Sequence, residues 1–237
     1  MLHEHHPLTS WHGFPQIGKA VGKHHYHFLA AVVTAQLIIL ALDMPGRWTD
    51  MANLAFAPII AVLLYRITGR RMDWWILLVL AVSAPALDLL IPWHDSPVVL
   101  NLFKVTLWCA APAFLASRLF ATIYYADPVS HHELAGAVSI YLLLAYLFSN
   151  LFEAAYLLDP STLYFGDSFD GREIGFGEIL YFSFITLATL GYGDVAPAHP
   201  ATRAIAVTEA VTGLLYMAIL VARFVSLLST QRVNGPK

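Results

Sequence analysis

Apolar residues run along this chain in six long blocks, each close to the roughly 20 residues that an α-helix needs to cross a bilayer. The first covers about 26–42 and ends at Asp43-Met44-Pro45-Gly46. The second, about 50–67, contains Pro58, where a kink is expected. The third, about 73–92, opens on Trp74-Trp75 and closes at Pro92-Trp93, residues suited to the two membrane interfaces. The fourth, about 97–125, is long enough to tilt or to break near Pro112, and Ala126-Asp127-Pro128 follows it as a linker. The fifth covers about 132–158, and the sixth about 200–229. Between these last two lie a polar, glycine-containing loop, 159–177, and a short apolar stretch, 178–188, too short to span. The pattern predicts an all-α membrane protein: six transmembrane helices with a re-entrant half-helix before the sixth.

Composition strengthens that reading. Of 237 residues, 58% are apolar and 12% charged, against about 25% charged in soluble domains. The single cysteine, Cys109, excludes an internal disulfide framework and is expected to pack inside a helix. With a net charge of −3 and no basic face, no nucleic-acid partner is expected. The first 23 residues are too polar for a cleavable signal peptide. Lys and Arg crowd one side of the predicted topology, at Lys19, Lys23, Arg66, Arg70, Arg71, Arg223, Arg232 and Lys237. The other side carries Arg47, Arg172 and Arg203. The crowded side is therefore read as cytoplasmic, with both termini inside a multi-pass cell-membrane protein. Seven of eleven histidines fall at or before residue 27, namely His3, His5, His6, His12, His24, His25 and His27. They read as a solvated tail, with a metal site or a proton sensor as the sharper alternatives.

The stretch with distinct chemistry is Thr189-Leu190-Gly191-Tyr192-Gly193-Asp194, which follows the half-helix directly. A cation crosses a bilayer only if something replaces its water, and backbone carbonyls aimed at one axis do so. Gly191 and Gly193 permit the backbone angles this requires, Thr189 adds a hydroxyl, and Tyr192 can brace the ring from outside. At these residues the chain resembles the potassium-channel family, whose filter reads T-V/I-G-Y-G followed by Asp or a similar residue. Leu190 in place of Val or Ile is the one departure, at a side chain that faces away from the ions.

The resemblance covers about residues 132–229 and implies a pore domain of outer helix, pore helix, extended selectivity filter and inner helix. Four further units flank or precede it: a His-rich tail at 1–25, a four-helix sensor-like domain at 26–125, a linker at 126–131 and a short tail at 230–237. One filter strand cannot surround an ion, so a homotetramer in the lipid bilayer is expected, binding K⁺ at Thr189, Leu190, Gly191, Tyr192 and Gly193. No cofactor is expected beyond K⁺ itself, and no enzymatic step. Filter support is assigned to Asp194, Tyr181, Thr186 and Glu153. Tyr181 is expected to reach Asp194, and Thr186 the Tyr192 hydroxyl. Glu153 resembles a glutamate that accepts from the backbone after the filter. Ile185 stands where some bacterial channels carry a buried glutamate. Gly213, twenty residues after Gly193, stands where many channels carry a hinge glycine, with close helix packing as the alternative. Met217, Val221 and Phe224 or Val225 recur at helical spacing as candidates for an apolar gate. Asp159, Asp167, Asp170 and Glu173 against Arg172 would make an acidic vestibule.

Voltage sensors carry Arg or Lys at every third position, whereas the fourth block holds only Lys104 and Arg118. Weak or absent voltage dependence is expected, with Asp88 pairing with Lys104 in a structural role. About eight residues follow the sixth block, too few for a cytoplasmic ligand-binding ring. Three other readings meet an obstacle in the sequence. A histidine-ligated membrane metalloenzyme needs several HxxHH-like boxes, and none is complete. A transporter of pore-loop repeats needs four loops, and a weakly selective cation channel usually lacks the tyrosine kept here as Tyr192.

Overall fold

The computed structural model describes residues 24–42, 46–91, 97–124, 131–169 and 174–233. The His-rich stretch before His24, most of the linker, the last four residues, and Asp170 and Glu173 of the acidic loop lie outside the described residues. Seven helices account for nearly all of the remainder: α1 (His25–Ala41), α2 (Gly46–Thr68), α3 (Arg71–Leu90), α4 (Val98–Tyr124), α5 (His131–Leu158), α6 (Phe176–Leu187) and α7 (Pro200–Val233). Within α2, α3, α4, α5 and α7 lie stretches long and apolar enough to cross a membrane, while α1 has 17 residues. No break occurs at Pro112, and α4 runs as one helix of 27 residues. Pro58 and Pro85 likewise lie inside α2 and α3. The turn between α2 and α3 rests on Gly69, whose φ of +67° is open to a residue without a Cβ.

Helices α1 to α4 pack as sequence neighbours, and α1 and α4 both lie along α5 of the same chain. The four-helix unit is thus seated on α5 of its own chain, with only residues 125–130 between α4 and α5. Its core draws Leu29, Val33 and Leu37 from α1, Leu64 and Ile67 from α2, and Leu115 and Leu119 from α4 against Ile140 and Leu143 of α5. Buried polar groups inside it are paired. Gln36 donates to Asn53 at 2.8 Å, tying α1 to α2. On α3 the carboxylates Asp73 and Asp88 stand fifteen residues apart, and on α4 the cations Lys104 and Arg118 stand fourteen apart. The two helices therefore match end for end. Arg118 meets Asp73 through Nε at 3.0 Å and Nη2 at 2.9 Å, a two-point contact. Lys104 Nζ, fully buried, lies 3.2 Å from Asp88 Oδ1 and donates to the Ile91 carbonyl. Asp88 Oδ1 makes no directed hydrogen bond, so this pair is held by charge, while Asp88 Oδ2 accepts from Trp108 Nε1 at 2.8 Å.

A second core lies at the opposite end of α5. Phe148 and Phe152 of α5 meet Ile179, Phe182 and Ile185 of α6, and Leu163 and Val195 close it from a two-stranded ribbon. The strands are β1 (Leu163–Phe165) and β2 (Val195–Pro197), antiparallel with Leu163 opposite Pro197 and Phe165 opposite Val195. This ribbon fixes the chain on the far side of the residue 188–194 turn.

Candidate functional site

The site is built from the C-terminal end of α6. A helix end leaves carbonyls without intrahelical partners, and here the chain beyond it turns back to use them. Thr189 N–H donates to the Thr186 carbonyl at 3.0 Å, and Leu190 N–H to the Ile185 carbonyl at 2.8 Å. Gly191 N–H shares the Ile185 acceptor at 3.4 Å. In a planar trans peptide the carbonyl of one residue points opposite to the N–H of the next. Three N–H groups aimed at the helix end therefore aim the carbonyls of Ala188, Thr189 and Leu190 away from it. Those oxygens face the side that the single chain leaves open, for residues 188–193 are all exposed.

Handedness alternates along the same stretch. Thr189, Gly191 and Gly193 take φ of +56°, +56° and +81°, and no other described residues of the turn have positive φ. Two of these positions are glycines, which adopt such angles at no steric cost. Thr189 is not, and left-handed φ at a β-branched residue is strained by about 1–2 kcal/mol. Nothing in the sequence pattern signalled that strain. It persists because the Thr189 N–H is already fixed to the helix end.

Asp194 anchors the outer end of the turn. Its Oδ2 accepts from the Tyr181 hydroxyl at 2.7 Å and its Oδ1 from Val195 N–H at 3.0 Å. Its backbone carbonyl accepts from Gly166 N–H at 2.8 Å, and a Cβ on Gly166 would stand 3.2 Å from that oxygen. A side chain at 166 would thus crowd that oxygen, while no positive φ constrains the residue. Tyr181→Phe removes one solvent-accessible hydrogen bond per chain, worth about 1 kcal/mol, so the decay of current on sustained activation is expected to quicken at least about fivefold. Unchanged decay in the variant would dismiss Tyr181 as a filter support.

The other sequence-assigned residues fall in different places. Thr186 and Tyr192 make no hydrogen bond to each other: Tyr192 is 67% exposed, and its electrostatic neighbour on α6 is Tyr181. Glu153 makes no hydrogen bond to the backbone after Asp194 and looks instead toward the four-helix unit, where its electrostatic neighbours are Asp88 of α3 and Cys109 of α4. The reason is rotational. Phe152, the neighbouring residue, takes the face toward α6 and stacks edge-on against Phe182 at 4.8 Å. Gly213 sits mid-helix in an unbroken α7, and a Cβ there would collide with the Leu187 backbone carbonyl. Met217, Val221 and Val225 are exposed on the single chain, and Phe224 is half-buried. Glu178 closes the start of α6, its carboxylate accepting from Gly175 N–H at 3.1 Å. In the loop after α5 Asp159 accepts from Ser161 N–H, and hydrogen bonding from Ser161 holds its carboxyl below the usual range, so it stays charged at neutral pH.

Comparison with known proteins agrees with this geometry. Residues 113–230 match the family model described as ion channel. A stretch of 64 residues is 37% identical to Two-pore potassium channel 4 of Arabidopsis thaliana, covering 27% of this chain and 22% of that relative's length. No solved structure matches the chain. The family match begins inside α4 and takes in all of α5, α6 and the 188–194 turn, then nearly all of α7. With the TLGYGD turn inside that match and a potassium channel among the relatives, residues 113–230 belong to the potassium-channel family.

Proposed function

We propose that four copies of this chain form a potassium-selective channel in the cell membrane, through which K⁺ passes passively along the backbone oxygens of Thr189, Leu190, Gly191, Tyr192 and Gly193. The observation that carries the reading is the direction of the peptides at 188–190, whose N–H groups are consumed by α6 and whose oxygens are left free. One chain offers oxygens from one side only, and a dehydrated ion needs them all round. The exposure of Tyr192 and of Val207, Val211, Leu214 and Ile219 on α7 supports a homotetramer in which neighbouring copies cover them. In that assembly α1 supplies the sixth span, both termini lie in the cytoplasm, and α6 enters from outside. The carbonyl end of α6, partly negative, then faces the ion path. Met217, Val221, Phe224 and Val225 form the apolar gate, Gly213 is the point about which α7 bends, and no covalent step is involved.

Proteoliposomes carrying the purified chain should take up K⁺ far faster than Na⁺, and chemical cross-linking should trap a tetramer. Equal uptake of the two ions, or a monomer under mild detergent, would overturn the reading.

A further inference from the structure

Polar residues recur on α7 every seven positions, at Thr202, Glu209 and Tyr216, and so share one face of the helix. The two outer members each donate to a backbone carbonyl: Thr202 Oγ1 to Thr162 at 2.7 Å, and Tyr216 Oη to Ala137 at 2.6 Å. The middle member, Glu209, is fully buried and reaches a carbonyl through an intermediary. Ser183 Oγ of α6 lies 2.6 Å from the Ala145 carbonyl of α5 and 2.5 Å from Glu209 Oε1. Ser183 and Ala145 are themselves fully buried.

Proton counting decides what this arrangement is. A serine hydroxyl carries one hydrogen. Two oxygen–oxygen contacts this close each need a hydrogen between them, and a peptide carbonyl has none to give. The second hydrogen has to sit on Glu209. Burial points the same way. Glu209 Oε2 is enclosed with no hydrogen-bond partner, and neither ion pair among the described residues involves Glu209. A carboxylate there would leave a charge uncompensated inside a span, whereas the neutral acid leaves only an uncharged carbonyl oxygen without a donor. The ionisable neighbours offer no cation: Tyr141 of α5 lies within electrostatic range, Tyr216 stands on α7 itself against the Tyr141 ring, and α6 contributes the Ser183 hydroxyl.

We propose that Glu209 is a positioning residue for the ion path: as the neutral acid it donates to Ser183, which donates to the Ala145 carbonyl, clamping α6 between α5 and α7. The clamp lies directly behind the filter turn. Ser183 is one turn before Leu187, whose carbonyl abuts Gly213, and two residues before Ile185, whose carbonyl holds the Leu190 N–H. Any slip of α6 is therefore passed to the peptides whose oxygens line the path. The consequence for conduction rests on the channel reading above; the protonation state does not.

Two measurements on the full-length protein in lipid separate these. In infrared difference spectra of wild type minus Glu209→Gln at neutral pH, a protonated-carboxyl C=O band that shifts in D₂O is expected. A carboxylate band pair in its place would overturn the proposal, whether or not the protein conducts. In K⁺ flux, Glu209→Gln should rescue the function, because its amide keeps a donor for Ser183. Flux within about twofold of wild type is expected for it, against a loss of at least about fivefold for Glu209→Ala and Ser183→Ala, in keeping with one lost buried hydrogen bond per subunit. A glutamine variant as impaired as the alanine variant, with all proteins tetrameric, would show that donation to Ser183 is not what matters.

Discussion

Gly191→Ala is expected to cut potassium flux by at least about a hundredfold while leaving the purified chain folded and assembled. The glycine has φ +56°, and a Cβ built on it meets nothing within 4 Å in the single chain. What opposes alanine is thus backbone torsion rather than a clash. An L-residue in the left-handed region costs about 1–2 kcal/mol. In a tetramer the cost is paid four times against a single concerted arrangement of carbonyls, giving about 4–8 kcal/mol in total, and every 1.4 kcal/mol is a factor of ten. The path can relieve that strain by rotating the peptide, which turns an oxygen away from the ion. Gly69 gives the comparison. It has φ +67° and equally open space, but lies in the α2–α3 turn far along the chain from the filter. Gly69→Ala should lower thermal stability by a similar amount per chain, about 1–2 kcal/mol, and leave K⁺ selectivity as it was. If Gly191→Ala conducts normally, positive φ at 191 is not what directs the oxygens.

How much of this was legible beforehand depends on whether a feature is local. Helix positions followed from length and hydropathy alone. The block at 132–158 became α5 at His131–Leu158, and the short stretch at 178–188 became α6 at Phe176–Leu187. The Tyr181–Asp194 contact was also within reach, since both residues flank one turn of chain. Features set by helix rotation were not legible. Hydropathy says that α5 is buried but not which way residue 153 points, and the Phe152–Phe182 contact turned Glu153 toward Asp88. Tyr192 likewise makes no hydrogen bond to Thr186 and stays 67% exposed, and hydropathy does not say which way an aromatic ring in a turn points. The Arg118–Asp73 pair was missed although its signal was present. Two carboxylates on α3 and two cations on α4 have nearly the same separation, and an antiparallel hairpin of that geometry pairs both or neither. The seven-residue spacing of Thr202, Glu209 and Tyr216 was equally visible, but its meaning required the carbonyls of α5 and the outer loop opposite.

Lys104→Met is expected to destabilise the four-helix unit by about 3–5 kcal/mol, the cost of stranding a buried partner charge. Asp88 is 7% exposed and Lys104 fully enclosed, so neither can turn to water. Joining Lys104→Met to Asp88→Asn should recover most of the loss, because asparagine is neutral yet still offers an oxygen to Trp108 Nε1. Thermal unfolding of the two single variants and the double variant in detergent measures the coupling, and additive losses would mean the pair contributes nothing. The same numbers bear on voltage. A membrane potential of 100 mV supplies about 2.3 kcal/mol to a unit charge moved across the whole field. Each chain has two basic residues on α4, and each would have to leave a buried carboxylate, at about 3–5 kcal/mol, before moving any part of that distance. The field falls short of the restraint at both ends of the helix, so α4 stays fixed on α3 and the conductance–voltage relation should be nearly flat. A steep relation that flattens in the Lys104→Met, Asp88→Asn double variant would show instead that these ion pairs break and reform as α4 moves.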